Sequence, residues 1–439
     1  MITITRAVLR QFYPEEEILQ QYTRYNTAMR ALTYGRYFHG SGSNLDDVRF
    51  FRGPGRANLA GCHTDHQLGD VLPIALSDDT IIAARWTQTG KIRAYDTGIR
   101  EYREIDLNQS LEAKAEEKGD WISMLRGATH LLFKAYRGAI NKTMGIDMVL
   151  NGRVGVGSGK SSSASVEVVV GKTIDGMYDF KTDPVQLAKY MRAVENNYYG
   201  KPCGQMDQMI SACGKEGYAL HMHFTRGDPV IKEINISELT NQGYKIVIVE
   251  SGESHKGLDK YYRAITDDMH QGAMILSGKR NDDLVLGDIS VQLYKANRQK
   301  LPDNTTIKTR TEYWFEEQER VKLIAKAFSE GRIEDAGELW NKRAYGARYK
   351  LQNTHIPGRQ RDGKGGQEIL LDLSNKTNLS IGNANFGGGF GGPTSHLVKS
   401  ENVDAFIDYM LKNANKKGLT DAKAKAYTPA RGACDVIFN

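Results

Sequence analysis

The sequence predicts a mixed α and β protein in two domains. Three observations point there. The chain has 439 residues, more than one hydrophobic core ordinarily organises. Short β-branched segments alternate with longer amphipathic ones. Its 45 glycines, against 10 prolines, gather in a few places instead of forming a linker.

Taken in order, "DTIIAARW" (Asp79–Trp86) reads as a strand, being short, β-branched and bounded by turn residues. "WISMLRGATHLLFKAYRGAI" (Trp121–Ile140) repeats apolar residues every three or four positions and reads as a helix. "GIDMVLN" (Gly145–Asn151) is strand-like, and "DPVQLAKYMRAVENNYY" (Asp183–Tyr199) helical. "MDQMISACGKEGYALHMHF" (Met206–Phe224) reads as a helix-like stretch that gives way to a strand-rich run at "GYKIVIVES" (Gly243–Ser251). A boundary there divides the chain into 1–220 and 221–439. "WFEEQERVKLIAKAFSEGRIEDAGELWNKRA" (Trp314–Ala344) reads as a long amphipathic helical stretch. No internal repeat of fixed period is evident.

Composition narrows the function. Hydrophobic residues make up 40% and charged residues 26%, the balance of a soluble globular protein. No apolar run approaches the roughly 20 residues of a membrane helix. The start carries acidic residues where a signal peptide would be apolar, so a cytoplasmic protein without a membrane partner is expected. Fifty-nine basic residues against 53 acidic ones give a net charge of +6, with part of the excess in "LKNANKKGLTDAKAKA". That lacks the dense basic stripe of a nucleic-acid surface and suits an enzyme with an anionic substrate. Four cysteines without a C-x-x-C pair read as reduced thiols.

The stretch "VGVGSGKSSSASVEVVVG" (Val154–Gly171) carries the most chemistry. Gly159, Lys160 and Ser161 imitate the end of a Walker A loop, but the glycine required five positions earlier is Val154. The stretch still follows a strand, turns through four glycines between Gly152 and Gly159, and offers three serines before an apolar run. Free N–H groups at a helix N-terminus, with hydroxyls beside them, bind anions. "VEVVV" has strand propensity, so a glycine-rich hairpin is the alternative to a helix.

Four segments in order resemble the sugar-kinase branch of the GHMP kinases, the galactokinases in particular. "GPGRANLAGCHTDHQLGDVLPIAL" resembles that family's A-P-G-R-V-N-L-I-G-E-H-T-D-Y signature. The stretch from Val154 resembles its P-x-G-x-G-L-S-S-S-A-S loop, and "NANFGGGFGGPTSHLV" its G-G-G-F-G-G loop. "GKPCGQMDQMISACGK" resembles its C-G-x-M-D-Q segment. The resemblance implies an α+β fold, with an N-terminal domain like ribosomal protein S5 and a ferredoxin-like C-terminal one. It also implies ATP-dependent phosphorylation of the anomeric hydroxyl of galactose, a small-molecule sugar substrate, and ATP with Mg2+ in the cleft.

Residue by residue, the resemblance makes Asp207 the catalytic aspartate and Arg56 its positively charged neighbour; a buried ion pair is the alternative. Gly157, Gly159, Ser161, Ser162 and Ser163 would cradle the phosphates. Ser163 and Glu195 would hold the magnesium, and Trp121 would line the adenine pocket unless it is simply core. His63, Asp65, Gly204 and Tyr262, or Tyr261 in its place, would contact the sugar. Two positions depart from the pattern. Cys62 stands where the family has a glutamate that binds the far end of the sugar, and "ANF" (Ala384–Phe386) replaces R-M-T before the third loop.

Loss of a carboxylate could admit a sugar acidic at carbon six, and "HTDHQ" resembles "HIDHQ" of galacturonate kinases, with His66 able to supply charge or a donor. Galacturonate or another C6-modified hexose is thus the alternative substrate, and a non-catalytic sugar and ATP sensor the alternative class. The intact catalytic set favours the enzyme. Lys160 takes a position usually leucine, where it either contacts phosphate or faces solvent. Cys62, His63, Asp65 and His66 also admit reading as a metal cluster, which the sugar motif around them disfavours.

Overall fold

The computed structural model describes residues 3–38, 47–137, 140–155, 157–253, 257–358 and 364–438. Among these, the strands in chain order are β1 (Arg49–Asn58), β2 (Asp70–Val71), β3 (Pro73–Thr87), β4 (Lys91–Asp96), β5 (Glu101–Asp106) and β6 (Gly145–Gly152). They continue with β7 (Tyr218–His223), β8 (Val230–Asn235), β9 (Tyr244–Glu250), β10 (Ser380–Asn385), β11 (Thr394–Lys399), β12 (Lys423–Tyr427) and β13 (Cys434–Val436). A six-stranded sheet runs β13-β1-β3-β6-β4-β5, a four-stranded sheet β10-β11-β9-β12, and a small sheet β2-β7-β8. Among the described residues only β4 and β6 pair in parallel.

Side-chain alternation explains how the large sheet is covered. Phe51, Ile82, Ala84, Met148 and Leu150 point to one face, where the helices Ile122–Ala135, Ser162–Tyr178 and Pro184–Val194 supply Leu125, Val169 and Leu187. Their chain neighbours Phe50, Ile81, Ala83 and Val149 point to the other, against Tyr25, Ala28 and Leu32 of the helix Ile18–Tyr34. Both faces being buried, these strands read as nearly unbroken apolar runs.

The far ends of β1 and β3 carry the second sheet. Ala57, Ile74 and Leu76 share a core with Ile246 and Ile248 of β9 and with Val321, Ile324 and Trp340 of the helices Thr306–Ser329 and Ile333–Gly346. All four strands of that sheet come from beyond residue 220, while β13 returns to pair with β1, Phe50 facing Val436.

Three segments differ from their sequence patterns. The stretch 314–344 is two helices, because the chain turns at Gly331 with φ of 69°, a left-handed conformation that glycine adopts without strain. The stretch 206–224 is a short helix, Met206–Cys213, followed by strand β7. "VEVVV" is helical, since Val168, Val169 and Val170 are buried against the sheet; packing overrides propensity there. The helix from Ile122 ends at Ala135, and residues 138–139 of that stretch lie outside the described residues. Among the described residues no helix is long and apolar enough to cross a membrane.

One buried charge cluster pins the N-terminal helix to the sheet. Asp79 accepts from Arg24 Nη1 at 2.6 Å, Arg52 Nε at 2.7 Å and the Tyr13 hydroxyl at 2.6 Å, and it has no solvent-accessible surface. Replacing Asp79 by Ala would strand two buried guanidinium groups, so urea unfolding is expected to show a loss of about 3–5 kcal/mol. A loss below about 1 kcal/mol, the range of exposed pairs, would contradict this account.

Candidate active site

A register shift between Pro54 and Arg56 on β1 aims the arginine out of the ladder. Its Nε and Nη2 donate to the two carboxylate oxygens of Asp207, each at 2.7 Å. Nη1 donates to the Gly159 carbonyl, and the backbone N–H of Arg56 donates to the Lys160 carbonyl at 3.0 Å. The flanking glycines permit this approach: a Cβ on Gly55 would lie 2.9 Å from the Lys160 carbonyl oxygen, and one on Gly53 2.7 Å from that of Ser165.

The loop after β6 enters its helix through Ser161, whose φ is 62°, with Gly157 and Gly159 also left-handed. The helix begins at Ser162, so the N–H groups of its first turn lack helical acceptors. Ser161 Oγ donates to Asp207 Oδ2 at 2.6 Å. Burial alone would raise the Asp207 pKa, but Arg56 and Ser161 outweigh it and hold the carboxyl below its usual range. Its side chain stays 27% exposed, so it is charged and reachable.

Asp65 of the second loop approaches the start of the Asp207 helix. Met206 N–H donates to Asp65 Oδ2 at 3.5 Å, and any Cβ on Gly204 would sit 1.7 Å from that oxygen, which explains the glycine. Burial, and then the charge of Asp207, raise the Asp65 pKa. His63, itself left-handed at φ 57°, has Nε2 2.8 Å from the Gly388 carbonyl and stacks on Tyr262 with ring centroids 5.9 Å apart. Burial lowers His63 to about 4 and His66 to about 3, so both imidazoles are neutral at pH 7 and His66 brings no charge.

Cys62 is placed differently from its neighbours. It is buried, and its Sγ donates to the Gly387 carbonyl at 2.7 Å. Asn353 and Asn385 point their amide nitrogens at the sulfur from 3.7 and 3.6 Å. The two departures from the family pattern, Cys62 and Ala384–Phe386, therefore meet. Phe386 lies under the Arg56 guanidinium, 5.8 Å from centroid to Cζ.

A family model described as "GHMP kinases N terminal domain" matches residues 123–215, and one described as "Galactokinase galactose-binding signature" matches residues 38–86. Over these stretches the chain is similar to the GHMP kinases, and to their galactokinase branch in particular. A galactokinase of Bacillus subtilis is 28% identical over 366 residues, covering 82% of this chain and 88% of that one. One of Chloroflexus aurantiacus is 28% identical over 373 residues, covering 83% and 87%. In fold, the chain is similar to Lactococcus lactis galactokinase complexed with galactose, with a TM-score of 0.78 and 24% identity over 94% of this chain and 99% of that one. It is similar also to a mevalonate kinase, with a TM-score of 0.61 and 18% identity over 87% and 99%.

Next to the loop that precedes the helix from Ser162 lies a carboxylate pocket only half visible in the sequence. Glu195, on the wide π-turn Glu195–Tyr199, accepts from Ser163 Oγ at 2.8 Å, Lys201 Nζ at 3.1 Å and Gln208 Nε2 at 2.6 Å. Gln208 Nε2 also donates to Glu167 at 3.0 Å, whose other oxygen is buried without a partner. Burial, and then Glu195, push Glu167 well above the usual carboxyl range. Glu167 and Lys201 were missed; Glu167 lies four residues beyond Ser163, on the same helix face, and that spacing was the available signal. Trp121 is held by other groups: its Nε1 donates to Glu101 at 3.2 Å and Arg103 covers its ring. Lys160 follows neither expectation, its Nζ being buried 2.8 Å from Asp78 and 2.9 Å from Glu250.

Neutral buried imidazoles link stability to pH. His63 titrates near 4 in the fold and near 6.5 when unfolded, so the unfolded chain binds more protons in between. The His63 and His66 contribution is thus complete above about pH 6.5 and is lost as pH falls toward 4. The urea midpoint of the wild type is expected to drop between pH 7 and pH 5 more steeply than that of the His63→Asn, His66→Asn double variant. Parallel curves would contradict the burial of these rings.

Proposed function

We propose that this protein transfers the terminal phosphoryl group of ATP to the anomeric hydroxyl of galactose. One observation carries the reading: Asp207 is touched by Ser161 of the phosphate loop and adjoined by Asp65 of the sugar signature, so both substrates' loops converge on a single ionised carboxylate. The curated relatives named above are galactokinases, and the chain covers nearly nine-tenths of their length.

Asp207 accepts the hydrogen bond of the anomeric hydroxyl and fixes its direction of attack. A carboxylate held below its usual range is a weak base, so it takes the proton only once bonding to phosphorus has made the hydroxyl acidic. Arg56 keeps Asp207 ionised, and its guanidinium adds positive charge beside the developing phosphoryl charge. The serine hydroxyls and the helix N-terminus receive the phosphates. Magnesium suits the adjoining oxygens: Ser163 and Glu195 would hold it, with the unpartnered Glu167 oxygen close by, and when bound it would neutralise phosphate charge. His63, Asp65, Tyr262 and the Gly204 backbone would bind the hexose hydroxyls, Cys62 acting on them through the Gly387 loop. Four cysteines without a disulfide suit a reducing cytoplasm.

Neutral His63 and His66 favour a neutral hexose over a uronate, which would need a charge partner. ADP release with Mg-ATP is expected with galactose and not with galacturonate or glucose; turnover of galacturonate alone would overturn the substrate. Asp207→Asn is expected to lower kcat by about 10²–10⁴-fold while nucleotide binding persists. Near-normal turnover in that variant would remove Asp207 from the mechanism.

A further inference from the structure

Both ends of the phosphate loop are tied into one run of ion pairs. Arg153, just before the loop, lies 2.7 Å from Glu17 Oε2, and Glu17 Oε1 lies 2.5 Å from Lys425 Nζ. Lys425 reaches Asp78 Oδ1 at 2.7 Å, and Asp78 Oδ2 reaches Lys160 Nζ at 2.8 Å. Lys160, toward the far end of the loop, ends the run on Glu250 Oε1 at 2.9 Å. The Tyr427 hydroxyl closes its middle, donating to Asp78 at 2.6 Å and accepting from Lys160 at 3.1 Å.

Three features make this run more than surface charge. Cations and anions alternate and balance, three of each, so no charge is left alone in the partly desolvated interior. Lys160 and Asp78 side chains are only 7% and 6% exposed, where ion pairs are hard to break singly. The partners come from distant parts of the fold: Glu17 from the N-terminal segment, Asp78 from β3, Glu250 from β9, and Lys425 and Tyr427 from β12. Burial would strip the charge from Lys160, but Tyr427, Asp78 and Glu250 outweigh it and keep the ammonium charged.

We propose that Lys160 is a positioning residue for phosphoryl transfer: through this run it clamps the phosphate loop to the four-stranded sheet and so sets where the nucleotide sits relative to Asp207. The main chain conveys the position. The Lys160 carbonyl holds the Arg56 N–H and the Gly159 carbonyl holds its Nη1, so movement of Lys160 displaces the arginine that orients Asp207. Leucine, usual at this position in the resembling loops, would fill space without joining Asp78 to Glu250.

The proposal rests on the loop being the nucleotide's phosphate site, and the experiment separates the two. Initial rates are measured with ATP and galactose varied independently, beside calorimetric titration with a non-hydrolysable ATP analogue and magnesium. Lys160→Leu is expected to raise the KM for ATP and the Kd of the analogue by between about tenfold and 10²-fold, with the galactose KM within twofold (about 0.4 kcal/mol). Lys160→Arg is expected to recover most of the loss. An unchanged ATP KM, or equal losses on both substrates as a merely structural role would give, overturns the proposal. Should Lys160→Leu not fold, Lys425→Met breaks the run at a more exposed link and is expected to shift ATP binding in the same direction; no shift overturns it. Wild-type protein that binds no analogue sinks the reading of the loop itself, and this proposal with it.

Discussion

The forked contact between Arg56 and Asp207 is the constraint on which the rest of the centre depends. A guanidinium has five donors in a rigid plane, and this one meets Asp207 with two nitrogens and the Gly159 carbonyl with the third. Its ring partner is Phe386. One side chain thus joins the β1 bulge, the phosphate loop, the Met206 helix and the approach to the third glycine loop. Each must come within hydrogen-bond or van der Waals distance of the others, which is why glycines stand at 53, 55, 159, 204 and 387. A Cβ at Gly159 would meet Pro393 at 2.5 Å, so the two loops close on each other as tightly as their residues allow.

The same crowding forces backbone strain into each binding loop. His63, Ser161 and Phe390 are all left-handed, at φ 57°, 62° and 51°, a conformation that costs a residue with a Cβ about 1 kcal/mol or more. Each is held by neighbours: His63 by Gly388 and Tyr262, Ser161 by Asp207, Phe390 by the Asn353 carbonyl, which accepts its N–H at 2.5 Å. Charge follows a similar logic. Carboxyl groups in one small volume are driven apart in pKa, Asp207 downward by its arginine and Asp65 and Glu167 upward chiefly by burial. Of the three, Asp207 is the one whose surroundings favour the ionised form.

The sequence made the loops legible because glycine clusters and serine runs record close backbone approach directly. The motifs in those loops carried the family resemblance, and it was the resemblance that implied a shared cleft for Arg56, Asp207, Ser161, Ser163, Glu195, His63 and Asp65. Side-chain direction was not legible. Lys160 sits in a loop whose pattern suits anion binding, yet its ammonium turns inward, because Asp78, Glu250 and Tyr427 come from three strands whose pairing no local pattern reveals. The helix break at Gly331 was hidden for a similar reason: apolar spacing on both sides stays compatible with one helix, and only the left-handed glycine separates them.

Cys62 shows why a single departure from a family pattern cannot be read alone. A thiol accepts hydrogen bonds poorly, so its value here lies in donating to Gly387 and fitting a closed space. Asn385 occupies the second departure and turns its amide nitrogen to the same sulfur, as does Asn353, leaving the Oδ1 atoms of both buried without partners. Each such oxygen forgoes about 1–3 kcal/mol of hydration, which the fold accepts only because the surrounding packing holds the residues in place. A glutamate at 62 would put its carboxylate near Glu317, already engaged by the Gly61 N–H at 2.8 Å and by Arg343 at 3.5 Å. The cysteine, the two asparagines and the third loop therefore form one unit, and this part of the fold is shaped by that unit more than by any charge absent from position 62.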